Sequence, residues 1–164
     1  MEQEWMPFII SIKTALTATM ITFFLGIFAA NKINKINPKH KGILDSLFTL
    51  PMVLPPTVIG FFLLVILGRN GFIGKLLYSI GINVIFSWGA TVIAAVVVSF
   101  PLMYSTAKGA FEQIDKNILN AAQTMGVSNF KIFWKIMIPL AWPGIAAGTI
   151  LSFARALGEF GATL

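Results

Sequence analysis

Four long apolar stretches constrain this chain more than any other feature of its sequence. A bilayer core of about 30 Å requires about 20 apolar residues in a helix. Four segments reach that length, at about 7–30, 46–68, 84–107 and 137–157. Only 11% of the residues are charged, against about 25% in a typical soluble domain. The sequence therefore predicts an all-α integral membrane protein with four transmembrane helices in one domain, 1–164.

Residue counts exclude several classes of site. There are no cysteines, so disulfides, thiolate metal sites and cysteine nucleophiles are excluded. The single histidine, His40, argues against an imidazole metal cluster. The formal net charge of +6 is typical of nucleic-acid binders, but in a membrane protein it is better explained by Lys and Arg kept on the cytoplasmic side. We expect no catalytic residue, no bound cofactor or metal, and no nucleic-acid partner.

Lysine counts in the connecting segments predict the orientation. The segments 31–45 and 108–136 carry four lysines each, whereas the connection between the second and third spans carries two basic residues. Because basic residues favour the cytoplasmic side, both lysine-rich segments are predicted to be cytoplasmic and the N-terminus to lie outside. The chain would thus be a multi-pass protein of the cytoplasmic (inner) membrane, in contact with the lipid bilayer. Its end directly after the fourth span predicts a missing C-terminal region.

Prolines and small residues punctuate the spans. The second span reads "LPMVLPPTVIG", in which Pro55 and Pro56 each remove a backbone donor. One interpretation is a kinked packing helix, and the other is a helix break that shapes a translocation path. In the fourth span Gly144, Gly148 and Ser152 are spaced by four, which predicts close packing against another helix.

The stretch "NAAQTMGVSNFKIFWKIMIP", 120–139, interrupts the apolar runs with amphipathic sequence. Gly126 is placed to end one short helix and Ser128 to cap the next. An interfacial helix lying in the headgroups is one interpretation. Adjacent alanines instead leave room for another surface, which favours docking into a protein groove. The apolar positions that recur at helical spacing are Ile114, Ile118, Ala121 or Ala122, and Met125.

The same stretch carries a family resemblance. Its pattern AA, three residues, G, nine residues, IxIP, which covers 121–139, resembles the EAA loop of ABC importer permeases. The resemblance implies a coupling helix that sits in a groove of a cytoplasmic ABC ATPase. Asn120 stands where that family usually has Glu, which weakens any expectation of a carboxylate contact there. The coupling residues implied are Asn120, Ala121, Ala122, Gly126 and Pro139.

Further segments narrow the resemblance. "LPMVLPPTVIGFFLL", "GRNGFIG", "SFPLM" and "LSFARALGEFGATL" are similar to the permease subunit of molybdate importers, across essentially the whole chain. Sulfate and thiosulfate permeases share a similar "FARAxGE" segment, and tungstate is a further alternative substrate. The resemblance implies a type I importer helix bundle of about five spans, a second permease copy as partner, and an extracytoplasmic oxyanion-binding protein.

Function classes follow from these patterns. The sequence holds no G-x-x-x-x-G-K-[ST] phosphate loop, so ATP and Mg would be used by a separate ATPase chain rather than by this one. A transport subunit is therefore the main prediction. A structural or sensory membrane subunit is an alternative of a different class. A membrane-embedded enzyme is disfavoured because the spans hold no nucleophile, base or metal constellation.

Arg155 and Glu159 are the charges at membrane depth. They are four residues apart near the outer end of the fourth span and so share a helix face. Either they neutralise each other and anchor the helix end, or they mark a pathway. On the second interpretation Arg155 draws an oxyanion in, Glu159 moderates its grip, and Pro55 and Pro56 shape the path.

Overall fold

Eight α-helices and one π-helical turn make up the described part of this computed structural model, residues 2–34, 36–69, 71–79 and 87–161. No strand occurs in these residues. The helices are α1 (Glu2–Asn34), α2 (Pro38–Val53), α3 (Pro56–Leu67), α4 (Phe72–Ser79), α5 (Trp88–Glu112), α6 (Lys116–Thr124), α7 (Asn129–Ile132) and α8 (Ile138–Gly161), with the π turn Phe133–Met137 between α7 and α8.

Within the described residues, three helical stretches are long and apolar enough to cross a membrane. They are Trp5–Asn34, Trp88–Glu112 and Asn129–Gly158, and a fourth crossing is formed if α2 and α3 count as one bent span. The observed helices extend beyond the predicted spans. Lys108 lies inside α5 rather than in a loop, and much of the predicted loop 31–45 is helical because α2 begins at Pro38. The first residues of the predicted span 84–107 lie outside the described residues.

The predicted span 46–68 is two helices rather than one. The direction of the helix axis changes by 113° between α2 and α3. A residue before proline is pushed out of the helical region, and here two successive residues, Leu54 and Pro55, each precede a proline. Both are extended, with ψ values of 140° and 142°. Pro56 then starts α3, where its missing donor costs nothing.

The predicted close packing of α8 is confirmed, and its partner is α5. A Cβ placed on Gly144 would lie 2.5 Å from Cβ of Ala110, and one on Gly148 would lie 2.0 Å from Oγ1 of Thr106. One turn further on, the Ser152 hydroxyl donates a hydrogen bond of 3.3 Å to a backbone carbonyl of α5. Glycine at these positions is therefore what lets the two helix backbones approach.

α1 packs against α5 in the same manner, from another side. A Cβ on Gly26 would lie 2.7 Å from Cγ of Met103 and 3.2 Å from the backbone nitrogen of Tyr104. The larger cluster of buried apolar residues lies around this contact and draws on α1, α5, α6, α7, the π turn and α8. The core that holds the membrane helices together thus extends into the short helices between α5 and α8.

Candidate functional site

The docking segment, residues 113–137, connects α5 to α8 and begins with a capped helix. The carboxylate of Asp115 accepts a hydrogen bond of 2.8 Å from the backbone N–H of Asn117, so Asp115 is the N-cap of α6. This role of Asp115 was not predicted from the sequence. An Asp directly before an amphipathic run is the usual signal for a cap and would have identified it.

α6 presents two apolar faces rather than one. Ala122 is 7% exposed and packs with Ile114 into the core, with Leu119 partly buried beside it. Ala121 and Ile118 are exposed on a neighbouring face. The structure therefore resolves the predicted choice between the two alanines: Ala122 faces inward and Ala121 faces outward.

The outward apolar face continues to the end of α6. Met125, one turn beyond Ala121, is 81% exposed. Ile118, Ala121 and Met125 are spaced by three and four, which places them on one side of the helix. We call these three residues the outer face of α6. Asn120 is also exposed, and its backbone carbonyl accepts a hydrogen bond from the Thr124 hydroxyl.

Gly126 ends α6 as predicted, in a left-handed conformation with φ of +76°. Its backbone N–H donates to the carbonyl of Gln123 at 2.9 Å, and that of Val127 donates to the carbonyl of Ala122 at 3.1 Å. This pair of bonds is the Schellman arrangement, which satisfies carbonyls left free at a helix end. No atom lies within 4 Å of a Cβ built on Gly126, so its backbone conformation, not crowding, requires glycine.

The second helix of the docking segment begins at the predicted place. Ser128 stands at the N-cap of α7, but its side chain makes no capping hydrogen bond. After the four residues of α7, the helix widens into the π turn. There the N–H of Ile138 bonds to the carbonyl of Phe133. A proline ring in a regular helix collides with the carbonyl four residues earlier. The π turn ends two residues before Pro139, and the helix continues through that proline in α8.

Phe133 ties the docking segment to the membrane helices. Its side chain is 5% exposed, and its ring centroid lies 6.3 Å from that of Phe28 on α1 and 6.0 Å from that of Phe111 on α5. Phe111 is buried like Phe133, whereas Phe28 is 48% exposed. Phe133 therefore links the docking segment to α5 inside the core and to α1 at its edge.

Five polar residues come together where α2 meets α5, and the sequence did not predict this contact. The Asp45 carboxylate accepts hydrogen bonds from the Tyr104 hydroxyl and from the Lys108 ammonium group. The Glu112 carboxylate pairs with Lys41 at 2.7 Å and lies 3.9 Å from Lys108. We call Lys41, Asp45, Tyr104, Lys108 and Glu112 the polar clasp. No local pattern could have revealed the contact, because the two α2 residues and the three α5 residues are about 60 positions apart in the sequence.

The predicted pathway residues occupy two places in the fold. Pro55 and Pro56 are exposed at the bend between α2 and α3. Arg155 is half-buried near the end of α8. The side chain of Glu159 lies outside the described residues, so its pairing with Arg155 stays a prediction.

Comparisons with known proteins match nearly the whole chain. The family described as "Binding-protein-dependent transport system inner membrane component" matches residues 22–164. The molybdenum transport system permease protein ModB of Escherichia coli (strain K12) is 44% identical, over 99% of this chain and 72% of that protein. A putative molybdenum transport system permease protein of Bacillus subtilis (strain 168) is 47% identical, over 96% and 70%. A probable sulfate transport system permease protein of Chlorokybus atmophyticus is 35% identical, over 96% and 55%.

Replacing Gly126 with Val should loosen the end of α6. A residue with a Cβ in the left-handed region costs about 1–2 kcal/mol, which corresponds to about ten-fold faster exchange of the amides in the Schellman bonds. Hydrogen exchange of residues 113–137, followed by mass spectrometry, measures this. Gly126→Asn should exchange nearly as wild type because Asn tolerates this conformation. The control is Gly42→Val in α2, where a Cβ meets nothing within 4 Å. Wild-type exchange in Gly126→Val would contradict the assignment of Gly126 as the left-handed residue that ends α6.

Proposed function

The chain belongs to the family of binding-protein-dependent transport system inner membrane components, and we propose that it is the transmembrane subunit of an ATP-driven importer of molybdate. Two relatives named as molybdenum permeases, at 44% and 47% identity, support this substrate over sulfate, whose permease relative is 35% identical. Molybdate, tungstate and sulfate are all tetrahedral dianions. Sulfate, thiosulfate and tungstate are therefore the alternative substrates of the same function.

The outer face of α6 is the observation that carries the proposed mechanism. Ile118, Ala121 and Met125 are exposed together on a helix whose ends are fixed by the Asp115 cap and the Gly126 turn. A small residue between two larger apolar ones suits a helix that lies in a protein groove. We therefore propose that α6 is the coupling helix and lies on the cytoplasmic side, in a groove of a separate ABC ATPase.

The packing beneath α6 supplies a route for transmission. Ala122 on its inner side and Phe133 beyond the Gly126 turn are both buried in the core shared with α1, α5 and α8. Close-packed contacts have low compressibility, so they transmit a displacement from one element to the next. Closure of an ATPase dimer would thus push α6 and, through these contacts, tilt the membrane helices from an inward-open to an outward-open arrangement. Hydrolysis would reset them.

The remaining parts of the transporter are assigned by the same proposal. Two copies of this subunit form the membrane channel, and an extracytoplasmic binding protein delivers the oxyanion to it. ATP and Mg are used by the ATPase subunits. The alternative of a structural or sensory membrane subunit predicts no uptake and no ATPase partner, so the next two experiments separate it from the transporter.

Replacing Ala121 with Trp should abolish binding of the ATPase. Ala121 is exposed between larger side chains of the outer face, and an indole there would hold the ATPase groove away from α6. Co-purification of the ATPase with the tagged subunit measures the effect. The matched control is Gln123→Trp, because Gln123 is exposed on the opposite side of α6 from Ala121. Equal recovery of ATPase with both variants would contradict the assignment of α6.

The substrate is tested by uptake competition in cells that express the intact system. Radioactive molybdate should accumulate, and unlabelled molybdate should block its uptake at a lower concentration than sulfate does. Tungstate is expected to compete better than sulfate. The control is a strain whose ATPase cannot hydrolyse ATP. Accumulation of labelled sulfate but not of labelled molybdate would contradict molybdate as the substrate. The proposed transport function would still stand, with sulfate as the substrate.

Arg155 is proposed as an anion-attracting residue of the pathway that Pro55 and Pro56 shape. A cation at membrane depth is costly and commonly functional. Arg155→Met should therefore lower molybdate uptake while the complex assembles normally. Arg69→Met is the matched control, since Arg69 is exposed and donates a 2.8 Å hydrogen bond to Tyr78. Wild-type uptake in Arg155→Met would contradict the pathway role and would favour the interpretation that Arg155 anchors the helix end.

A further inference from the structure

α2, the first arm of the broken span, is held to the bundle along one narrow face. Leu44 and Phe48 pack against the core, and Lys41 and Asp45 of the polar clasp lie on the same side. The rest of α2 is largely exposed, including Val53 at 83% next to the bend. The position of α2 relative to α5 thus depends on the clasp and on the aromatic contact beside it.

The clasp lies at the junction of three helix ends. Glu112 is the last residue of α5 and is three positions before Asp115, which caps α6. Lys41 pairs with Glu112 and also donates a 3.2 Å hydrogen bond to the side chain of Asn34, the last residue of α1. The ends of α1 and α5 and the first turns of α2 are therefore joined by polar contacts beside the start of the docking segment.

The clasp fixes register as well as proximity. Apolar contacts are non-directional and allow packed helices to slide. Hydrogen bonds between charged groups join particular atoms, so they set both rotation and axial position. Asp45 holds Tyr104 and Lys108, one turn apart on α5, with its two carboxylate oxygens. That two-point attachment prevents α2 from sliding along α5.

We propose that the polar clasp positions the broken span for transport, making α2 move together with α5 and the docking segment. This inference rests on the proposed transport function. A displacement of α6 reaches α5 through the core, passes to α2 through the clasp, and arrives at the bend of Pro55 and Pro56. The clasp residues are positioning residues, since they act through the helices they join and not by contact with the oxyanion.

Tyr104 provides a test that separates positioning from packing. Its side chain is 1% exposed, and its ring lies between Phe48, at a centroid distance of 5.2 Å, and Phe100, at 5.9 Å. Tyr104→Phe keeps both ring contacts and removes the hydroxyl that donates to Asp45. The substitution therefore weakens the clasp while it leaves the aromatic packing of α2 on α5 in place.

The experiment compares molybdate uptake with ATP hydrolysis in one preparation. The full-length subunit, its ATPase and its binding protein are reconstituted in liposomes, and molybdate taken up per ATP hydrolysed is measured. Tyr104→Phe and Asp45→Asn should each lower this ratio by at least about five-fold, the lower end of ordinary coupling between sites. The amount of assembled complex and its ATP hydrolysis should stay near wild type. The losses should add incompletely in the double variant, because Tyr104→Phe removes the Tyr104–Asp45 hydrogen bond and Asp45→Asn weakens that same bond by removing the charge of its acceptor.

Tyr78→Phe is the matched control. It removes a tyrosine hydroxyl on α4 that accepts a hydrogen bond from Arg69, which precedes α4. Both residues lie outside the clasp, so the ratio should be unchanged. A wild-type ratio in Tyr104→Phe would overturn the clasp proposal alone. Parallel loss of assembled complex, hydrolysis and uptake would also overturn it, by showing a purely structural role. Absence of molybdate uptake by the wild-type complex would contradict the proposed function, and the clasp proposal with it.

Discussion

Close approach of α5 to its two neighbours is the contact on which the rest of the structure depends. Helices in lipid gain no hydrophobic energy by associating with each other, so their contact must come from tight van der Waals packing. Gly26 on α1 and Gly144 and Gly148 on α8 supply it, because a Cβ at any of them would overlap α5. With α1 and α8 set against α5, the buried cluster between them extends without a gap into the docking segment.

The docking segment is held in place at both ends of α6 and by the core beneath it. The Asp115 cap and the Gly126 turn satisfy the backbone at both ends of α6, although the helix has only nine residues. Ala122 and Phe133 are buried in the core beneath α6, and the chain runs on from α7 through the π turn into α8. The outer face of α6, with Ala121 between the larger Ile118 and Met125, therefore lies on a helix that is supported at both ends.

The two ends of α2 are held in place by different interactions. At the end next to α3, two consecutive prolines force extended backbone and turn the chain by 113°. At the other end the polar clasp joins α2 to the last turns of α5. The bend is fixed by the two prolines, and the clasp attaches α2 to α5 through charge pairs. The broken span thereby connects the two candidate regions, the docking segment and the proline bend.

Local patterns in the sequence determined much of this protein. Apolar run length predicted the membrane helices, and the order alanine pair, Gly126, Ser128 predicted helix, turn and helix, because each depends on neighbouring residues alone. The adjacent prolines left a kinked helix and a broken helix as alternatives, and only the structure showed that the predicted span 46–68 is two helices with a bend of 113°. Only the tertiary structure decided that Ala122 faces inward while Ala121 faces outward, and that Asp45 meets Tyr104, 59 positions away. Those outcomes depend on which surfaces α5 offers after the helices have packed, and no short stretch of sequence carries that information.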